Sequence, residues 1–348
     1  MKKLLFVTES LTGGGAESAL VRLLNRLTGE LDCTVVTVFP GGEKLCKPEI
    51  HIRCLNPSRS PLRFAFLRLL AQAGLAHRLW HSEDFDLHIA WMETFPTKLV
   101  SAAPGLKIAW VHCDMENRTH RDKMARWYPK FHRVACVSRD VEASFRRYFP
   151  GETEVVPNIL ERSEIVEKSM EFHAKSFDIL AIGRLSPEKG FDRLIDALKQ
   201  LNRLGLFPTL GILGEGPERE NLENRAAGVP GVQFLGFREN PYPHLRAAKI
   251  LAIPSRSEGA STVAQEGLVL GKVILTTGCA GMGEILGDAA LITEDLTVGL
   301  HRLLTDKEYC IQLAEKSAQR GQTISPEQAT ELAAALFRRV IKEGGRVG

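Results

Sequence analysis

Short apolar runs separated by helix-length stretches recur along this chain, and that alternation constrains its fold more than any other feature. In the amino-terminal half the runs are Lys3–Thr8, Thr34–Phe39, Leu87–Trp91, Lys107–His112 and Arg133–Val137. Helical patterns lie between them: Ala16–Thr28, Leu62–His81, Thr94–Ala102, a stretch ending at Tyr128, and Arg139–Tyr148. The carboxyl-terminal half repeats the scheme with Phe177–Ile182, Pro208–Leu213, Val232–Leu235, Lys249–Ile253, Val273–Thr276 and Ala290–Ile292. Short strands that alternate with helices are covered on both faces, and such sheets are parallel. The architecture repeats but the sequence does not. Pro157–Ser176 is polar, rich in Glu and without strand pattern, so the linker is expected there. A length of 348 residues accommodates two domains of ordinary size.

With 44% hydrophobic and 25% charged residues the composition is that of a soluble globular protein. A net charge of +3 is too small to argue for a nucleic-acid partner. The seven cysteines are scattered, without a C-x-x-C pair, so neither a disulfide framework nor a metal site is implied and a reducing cytosol is the simplest setting. Met1–Thr8 briefly mimics a secretion signal, but the apolar run is short and ends at Glu9, as a first strand would. No apolar stretch approaches the roughly 20 residues of a membrane span.

The segment Ser257-Glu258-Gly259-Ala260-Ser261-Thr262-Val263-Ala264-Gln265-Glu266-Gly267 follows the buried run Lys249–Pro254 and turns into a helix. A helix that starts at the carboxyl edge of a parallel sheet presents backbone N–H groups to anions. Glu258 precedes this helix and Glu266 lies about one and a half turns into it, so two carboxylates can face different parts of one ligand. A second element, Ile182-Gly183-Arg184-Leu185-Ser186-Pro187-Glu188-Lys189-Gly190, follows another buried run and opens the helix that begins at Phe191. Arg184 offers a planar fork and Lys189 a point charge, a pair that suits a diphosphate. The ligand that fits both elements carries phosphates and a polyol.

Other motifs lead less far. Gly13-Gly14-Gly15-Ala16-Glu17-Ser18 follows a strand and opens a helix, but Ser18 stands at the third glycine position of a dinucleotide fingerprint. Phe39-Pro40-Gly41-Gly42 stands where the acidic ribose partner would be, and no lysine follows in P-loop register. The loop still offers N–H groups for phosphate. Asp84-Phe85-Asp86 precedes a strand rather than ending one, and reads as a polar lead-in rather than a metal pair. Leu62–His81 carries Arg63, Arg68, His77 and Arg78 among Phe64, Phe66, Leu67, Leu69, Leu70, Leu75, Leu79 and Trp80, with Arg59 just before it. It reads equally as a face for an anionic membrane and as a packed helix with solvated arginines.

Taken together the motifs resemble a family 4 glycosyltransferase with the GT-B fold. The donor half is carried by Gly183-Arg184…Glu188-Lys189-Gly190, Leu213-Gly214-Glu215-Gly216-Pro217, Phe234-Leu235-Gly236-Phe237 and the pair Glu258…Glu266. The other half is carried by Thr12-Gly13-Gly14-Gly15-Ala16-Glu17, Ala109-Trp110-Val111-His112, Val137-Ser138 and Val156-Pro157-Asn158. The motifs span residues 1 to 290 in the family's order. Ala260 is a departure, since the family usually carries a bulky residue after Glu-Gly.

The resemblance implies two Rossmann-like α/β domains facing across a cleft. These would be an acceptor-binding domain at 1–160, a nucleotide-sugar domain at 172–324, and a carboxyl-terminal helical segment, 325–348, that packs back on the first. It implies a retaining hexosyltransferase of the EC 2.4 class that uses a UDP-sugar donor, a glycan or lipid-linked acceptor, and no cofactor or metal. His112, Glu258, Arg184 and Lys189 would be catalytic. Gly14, Gly15, Gly214, Phe237, Arg238, Ser261, Thr262, Val263 and Glu266 would bind donor. Expected roles are Glu258 on donor-sugar hydroxyls, Glu266 on the ribose, Phe237-Arg238 at the base and His112 beside the transferred sugar. The setting would be cell-surface polysaccharide synthesis, in the cytoplasm or at the inner membrane face. A nucleotide-sugar epimerase of the same fold and a non-catalytic nucleotide-sugar sensor remain as alternatives.

Overall fold

The computed structural model describes residues 1–12, 14–116, 118 and 121–344. They form two units. One is Met1–Ile159 together with the carboxyl-terminal segment from Pro326; the other is Leu160–Ser325.

The first unit is built on β1 (Lys3–Thr8), β2 (Asp32–Thr37), β3 (His51–Cys54), β4 (Leu87–Ala90), β5 (Lys107–Val111), β6 (Arg133–Cys136) and β7 (Thr153–Val155). Their order is β3-β2-β1-β4-β5-β6-β7, with every neighbouring pair parallel. The interior strands are those with strong apolar runs. The two edge strands, His51–Cys54 and Thr153–Val155, are not legible as apolar runs because they are only partly covered. The chain order reverses between β1 and β4, where Leu4 pairs with Leu87 and Val7 with Ala90.

The helix Pro326–Gly344 belongs to this unit. Ala333, Phe337 and Val340 are buried at spacings of one turn. The Phe337 ring meets those of Phe6 at 5.9 Å and Trp110 at 6.1 Å. Arg133 pairs with Glu343, and Arg26 with Glu327.

Two helical expectations need correction. The pattern over Leu62–His81 is not one helix: it runs from Pro61 to Gln72, and a 3-10 turn follows over Ala76–Trp80. Gly74 adopts φ +72° and the Leu75 N–H donates to the Leu70 carbonyl at 2.9 Å, a glycine C-cap that stops the helix. The stretch before Tyr128 is short, with one helical turn at Arg121–Met124 and a 3-10 turn at Tyr128–Lys130.

The second unit carries β8 (Ile179–Ile182), β9 (Leu210–Leu213), β10 (Val232–Gly236), β11 (Ile250–Ile253), β12 (Val273–Thr276) and β13 (Leu291–Ile292). Their order is β10-β9-β8-β11-β12-β13, again all parallel. Here the order reverses between β8 and β11. The polar segment 157–176 is not free of structure: it holds the helix Arg162–Lys168, whose Ile165 packs fully buried with Leu160 and Tyr242. Among the described residues no helix is long and apolar enough to cross a membrane.

Candidate active site

In open parallel sheets, ligands bind beyond the carboxyl ends of the strands where the strand order reverses. In the second unit that place is flanked by the loops after β8 and β11. Backbone approaches there are so close that only glycine fits. A Cβ on Gly214 would lie 1.8 Å from the Gly183 carbonyl oxygen, and one on Gly190, at φ +66°, 2.1 Å from that of Pro254. The loops are also tied by Arg256. Its guanidinium donates to Asp192 Oδ1 and Oδ2 at 2.7 and 2.6 Å and to the Pro187 carbonyl at 2.9 Å, while its N–H donates to the Glu188 carbonyl. The Arg256 hydrogen bonds hold the Asp192 carboxyl below its ordinary pKa.

This scaffold brings Lys189 and Glu258 into contact. Lys189 Nζ donates to Glu258 Oε1 at 2.7 Å, and Ser255 Oγ donates to the same oxygen at 2.6 Å. The Glu258 side chain is 8% exposed and that of Lys189 28%. Arg184, on the same loop, is exposed and has no ion-pair partner among the described residues. The helix Thr262–Val269 begins three residues after Gly259, and the Ser261 hydroxyl caps it by accepting the Ala264 N–H at 3.3 Å. That leaves the N–H groups of Thr262 and Val263, in its first turn, outside the helix's own hydrogen-bond ladder. Glu266 is buried on this helix and accepts the Tyr242 hydroxyl at 3.1 Å. Gly214 lies next to the Gly183 turn, and its N–H donates to the Gly236 carbonyl at 3.0 Å. Phe237 and Arg238 follow β10 and are exposed, Phe237 at 69%.

The first unit has its own cluster beyond the reversal of β1 and β4. Gly14 precedes the helix Gly15–Leu27 in an extended conformation; Gly13 of the same loop lies outside the described residues. Trp91 connects this helix to the end of β5. Its indole N–H donates to the Ala16 carbonyl at 2.8 Å, and its ring meets that of His112 at 4.9 Å. Both His112 ring nitrogens are buried without a hydrogen-bond partner among the described residues, although other atoms of the residue reach solvent. Burial pushes the imidazole down to about 4 against the opposing pull of Glu93, so the ring is neutral near pH 7.

Several contributors escaped the sequence reading. Ser255 sits three residues before Glu258, a local spacing that offered a signal. Tyr242 is remote in sequence from Glu266 and offered none. Glu93 follows a buried strand end, where an acidic residue is itself a signal. It is 1% exposed, and its Oε1 accepts the N–H groups of His112 and of Cys113, the latter at 2.8 Å. Asp86 has a structural role: it accepts Lys2 Nζ and the Lys3 N–H, each at 2.8 Å, at the start of β4.

Comparison with known proteins agrees with this geometry. Residues 13–163 match the family model described as Glycosyltransferase Family 4, and residues 176–306 the one described as Glycosyl transferases group 1. The chain is 27% identical over 279 residues to a Campylobacter jejuni enzyme, 77% of each protein being covered. That relative is a GalNAc-alpha-(1->4)-GalNAc-alpha-(1->3)-diNAcBac-PP-undecaprenol alpha-1,4-N-acetyl-D-galactosaminyltransferase. The present chain is 26% identical over 207 residues to an uncharacterized glycosyltransferase of Methanocaldococcus jannaschii, and spans 56% of that protein. Among solved structures, Anabaena Alr3699/HepE in complex with UDP and glucose superposes with a TM-score of 0.79 at 19% identity, covering 97% of this chain and 100% of that one. Two parallel-sheet domains of this kind, and matches to both halves in the family's order, mean that the chain belongs to the family 4 glycosyltransferases and has the GT-B fold.

Proposed function

We propose that this glycosyltransferase moves a hexose or N-acetylhexosamine from a UDP-sugar to a glycan or lipid-linked acceptor, with retention of anomeric configuration. The observation that carries this reading is the Lys189–Glu258 pair beside exposed Arg184 and the open first turn of the helix Thr262–Val269. Departure of a nucleoside diphosphate from an anomeric carbon places growing negative charge on phosphate oxygens. Arg184, Lys189 and the first-turn N–H groups supply fixed positive partners for it. Each charge-assisted hydrogen bond is worth about 1.5–3 kcal/mol net, and two or three acting in the transition state amount to several orders of magnitude in rate. These groups take the part that a divalent cation has at other phosphate sites.

Glu258 is the acceptor for donor-sugar hydroxyls and Glu266 for the ribose. Phe237-Arg238 borders the base, while Gly14 and Gly15 let a ligand approach the amino-terminal helix closely. His112, neutral at working pH, meets the transferred sugar through an uncharged ring nitrogen. Among the described residues no side chain is an evident covalent nucleophile, and front-face attack by the acceptor is the route to retention that this reading favours. The UDP and glucose of the Anabaena structure and the undecaprenol-linked substrate of the Campylobacter relative support the choice of donor and acceptor class.

A specific surface favours a membrane-borne acceptor. On the helix Pro61–Gln72, Leu62, Phe66 and Leu69 are exposed at 83%, 55% and 62% and follow one another at helical spacing. Arg63 and Arg68 are exposed on the same helix and Arg78 on the turn after it. The opposite face, with Leu67 and Ala71, is buried in the core. One helix thus packs and also presents an apolar stripe rimmed by cations, which suits the surface of an anionic bilayer.

The test is a donor screen by thermal shift, followed by measurement of UDP release with and without acceptor. Release that rises on adding acceptor supports transfer. Isomerised donor without release would identify an epimerase, and binding without turnover a sensor.

A further inference from the structure

We propose that Glu93 is a positioning residue: it clamps the chain at the carboxyl end of β5 and so aims the His112 imidazole at the donor sugar. The proposal rests on the reading that His112 borders that sugar.

A carboxylate that is 1% exposed is costly unless donors surround it. Those around Glu93 come from one segment. Its Oε1 accepts the main-chain N–H groups of His112 and Cys113, and its Oε2 accepts Arg118 Nη2 at 3.3 Å. Arg118 Nε also donates to Cys113 Sγ at 2.8 Å, so the segment is fastened twice. The segment lies beside β4 because Ala90 pairs with Ala109, which brings the end of β5 next to the residue that follows Trp91 and Met92.

The imidazole itself is held differently. Among the described residues neither ring nitrogen has a hydrogen-bond partner, and the ring packs against that of Trp91, with centroids 4.9 Å apart and planes tilted by 53°. No hydrogen bond of its own therefore fixes the direction of the ring. The ring's place is set by the main chain that carries it, which Glu93 holds, and by packing against Trp91. Strand pairing of β5 with β6 ends at Val111 and Cys136, one residue short of His112, so the ladder does not do it. A buried ring whose two nitrogens are unsatisfied and whose main chain is anchored by a buried anion is arranged to keep those nitrogens for a ligand.

The experiment compares Glu93→Ala, Glu93→Gln, His112→Ala and the double variant Glu93→Ala/His112→Ala. UDP-glucose and UDP-N-acetylgalactosamine serve as donors, and UDP release, UDP affinity and the ring-nitrogen signals of 15N-histidine-labelled protein are read. The His112 signals are identified by their loss in His112→Ala. Glu93→Ala is expected to lower kcat at least about tenfold, with the UDP dissociation constant within about twofold. It should also shift the His112 ring signals. Glu93→Gln keeps an oxygen for the two N–H groups and should recover most of the rate. In the His112→Ala background, loss of Glu93 should cost nothing further, because residues that act as one unit are not additive.

A full multiplicative loss in the double variant, or unmoved ring signals in Glu93→Ala, would overturn the proposal. Should Glu93→Ala not fold, the cycle is run with Glu93→Gln, whose loss of about threefold must vanish without His112. Ring signals that move while His112→Ala keeps the wild-type rate would leave the clamp standing and refute the role of His112 toward the sugar.

Discussion

Lys189 Nζ lies 2.7 Å from Glu258 Oε1, so the cation assigned to the diphosphate and the carboxylate assigned to the sugar are joined before any substrate arrives. The two loop residues on which the phosphate assignment rests therefore differ. Arg184 is exposed with no partner carboxylate among the described residues, whereas Lys189 neutralises a buried one. Arg184→Ala should lower turnover at least about tenfold with the melting temperature unchanged. Lys189→Ala should lower turnover as much and also destabilise the protein by about 1–3 kcal/mol, because Glu258 loses the cation that neutralises its buried charge and keeps the neutral Ser255 hydroxyl. Near-normal turnover in both variants would remove the diphosphate assignment. An unchanged melting temperature in Lys189→Ala would mean that the ion pair does not persist in solution.

The two glutamates should fail differently. Glu266 sits on the helix Thr262–Val269 with Tyr242 donating to it, and its ribose contacts would persist from ground state to transition state. Glu266→Ala should mainly raise KM for donor, and Tyr242→Phe should do the same more weakly. Glu258→Ala should lower kcat as well, since it orients both the reacting sugar and Lys189. The opposite pattern in steady-state kinetics would exchange the two roles.

His112 makes stability depend on pH in a defined direction. Its folded value is depressed to about 4 from an ordinary 6.5, so between those values the unfolded chain binds the extra proton. Stability from this residue is complete above about pH 6.5, declines as pH falls toward 4, and changes no further below that, a span of roughly 3 kcal/mol at most. Urea unfolding at pH 4.5 and pH 7 should show a smaller gap in His112→Gln than in wild type. An equal gap would show that the ring is not held neutral by burial.

Transfer should survive chelation. Asp86 is committed to Lys2 and the Lys3 N–H, which outweigh the upward effect of its burial and hold its carboxyl below the ordinary range. Arg184, Lys189 and the first turn of the helix Thr262–Val269 supply the positive field at the phosphates. Activity lost in EDTA and restored by magnesium or manganese would refute this reading.

Replacing Arg63, Arg68 and Arg78 with glutamate should weaken binding to anionic liposomes and transfer to a lipid-linked acceptor, while donor hydrolysis stays normal. Each such cation contributes roughly 1 kcal/mol at an anionic surface. Leu62→Ser/Phe66→Ser should weaken binding with a smaller dependence on salt, since apolar insertion is not screened. Unchanged sedimentation of both variants with anionic vesicles would assign this helix to packing alone.

Much of this protein could be read from its residues because the informative signals are local. The boundaries of β1 and β12 agree with the apolar runs to the residue because buried strands carry short unbroken apolar patterns, and those of the helix Arg139–Tyr148 agree because Val141, Ser144 and Phe145 repeat at helical spacing between charged residues. Gly190 and Gly214 were visible as motif residues, but their necessity lies in the carbonyl oxygens of Pro254 and Gly183, on other loops that no local window contains. Edge strands β3 and β7 were missed because half-exposed strands lose the pattern, and Gly74 divided a helix that its apolar spacing alone would have continued.

By itself the sequence determined the alternation of strand and helix, the parallel pairing that follows from it, and the identity of Arg184, Lys189, His112, Glu258 and Glu266 as candidates. Only the tertiary structure decided which of them meet. Lys189 and Glu258 are 69 residues apart and are neighbours because β8 pairs with β11. Glu93 stands under His112 because β4 pairs with β5. The physical reason is that chain direction and apolar periodicity are local properties, whereas the cost of burying a carboxylate is settled only by the donors that folding brings to it.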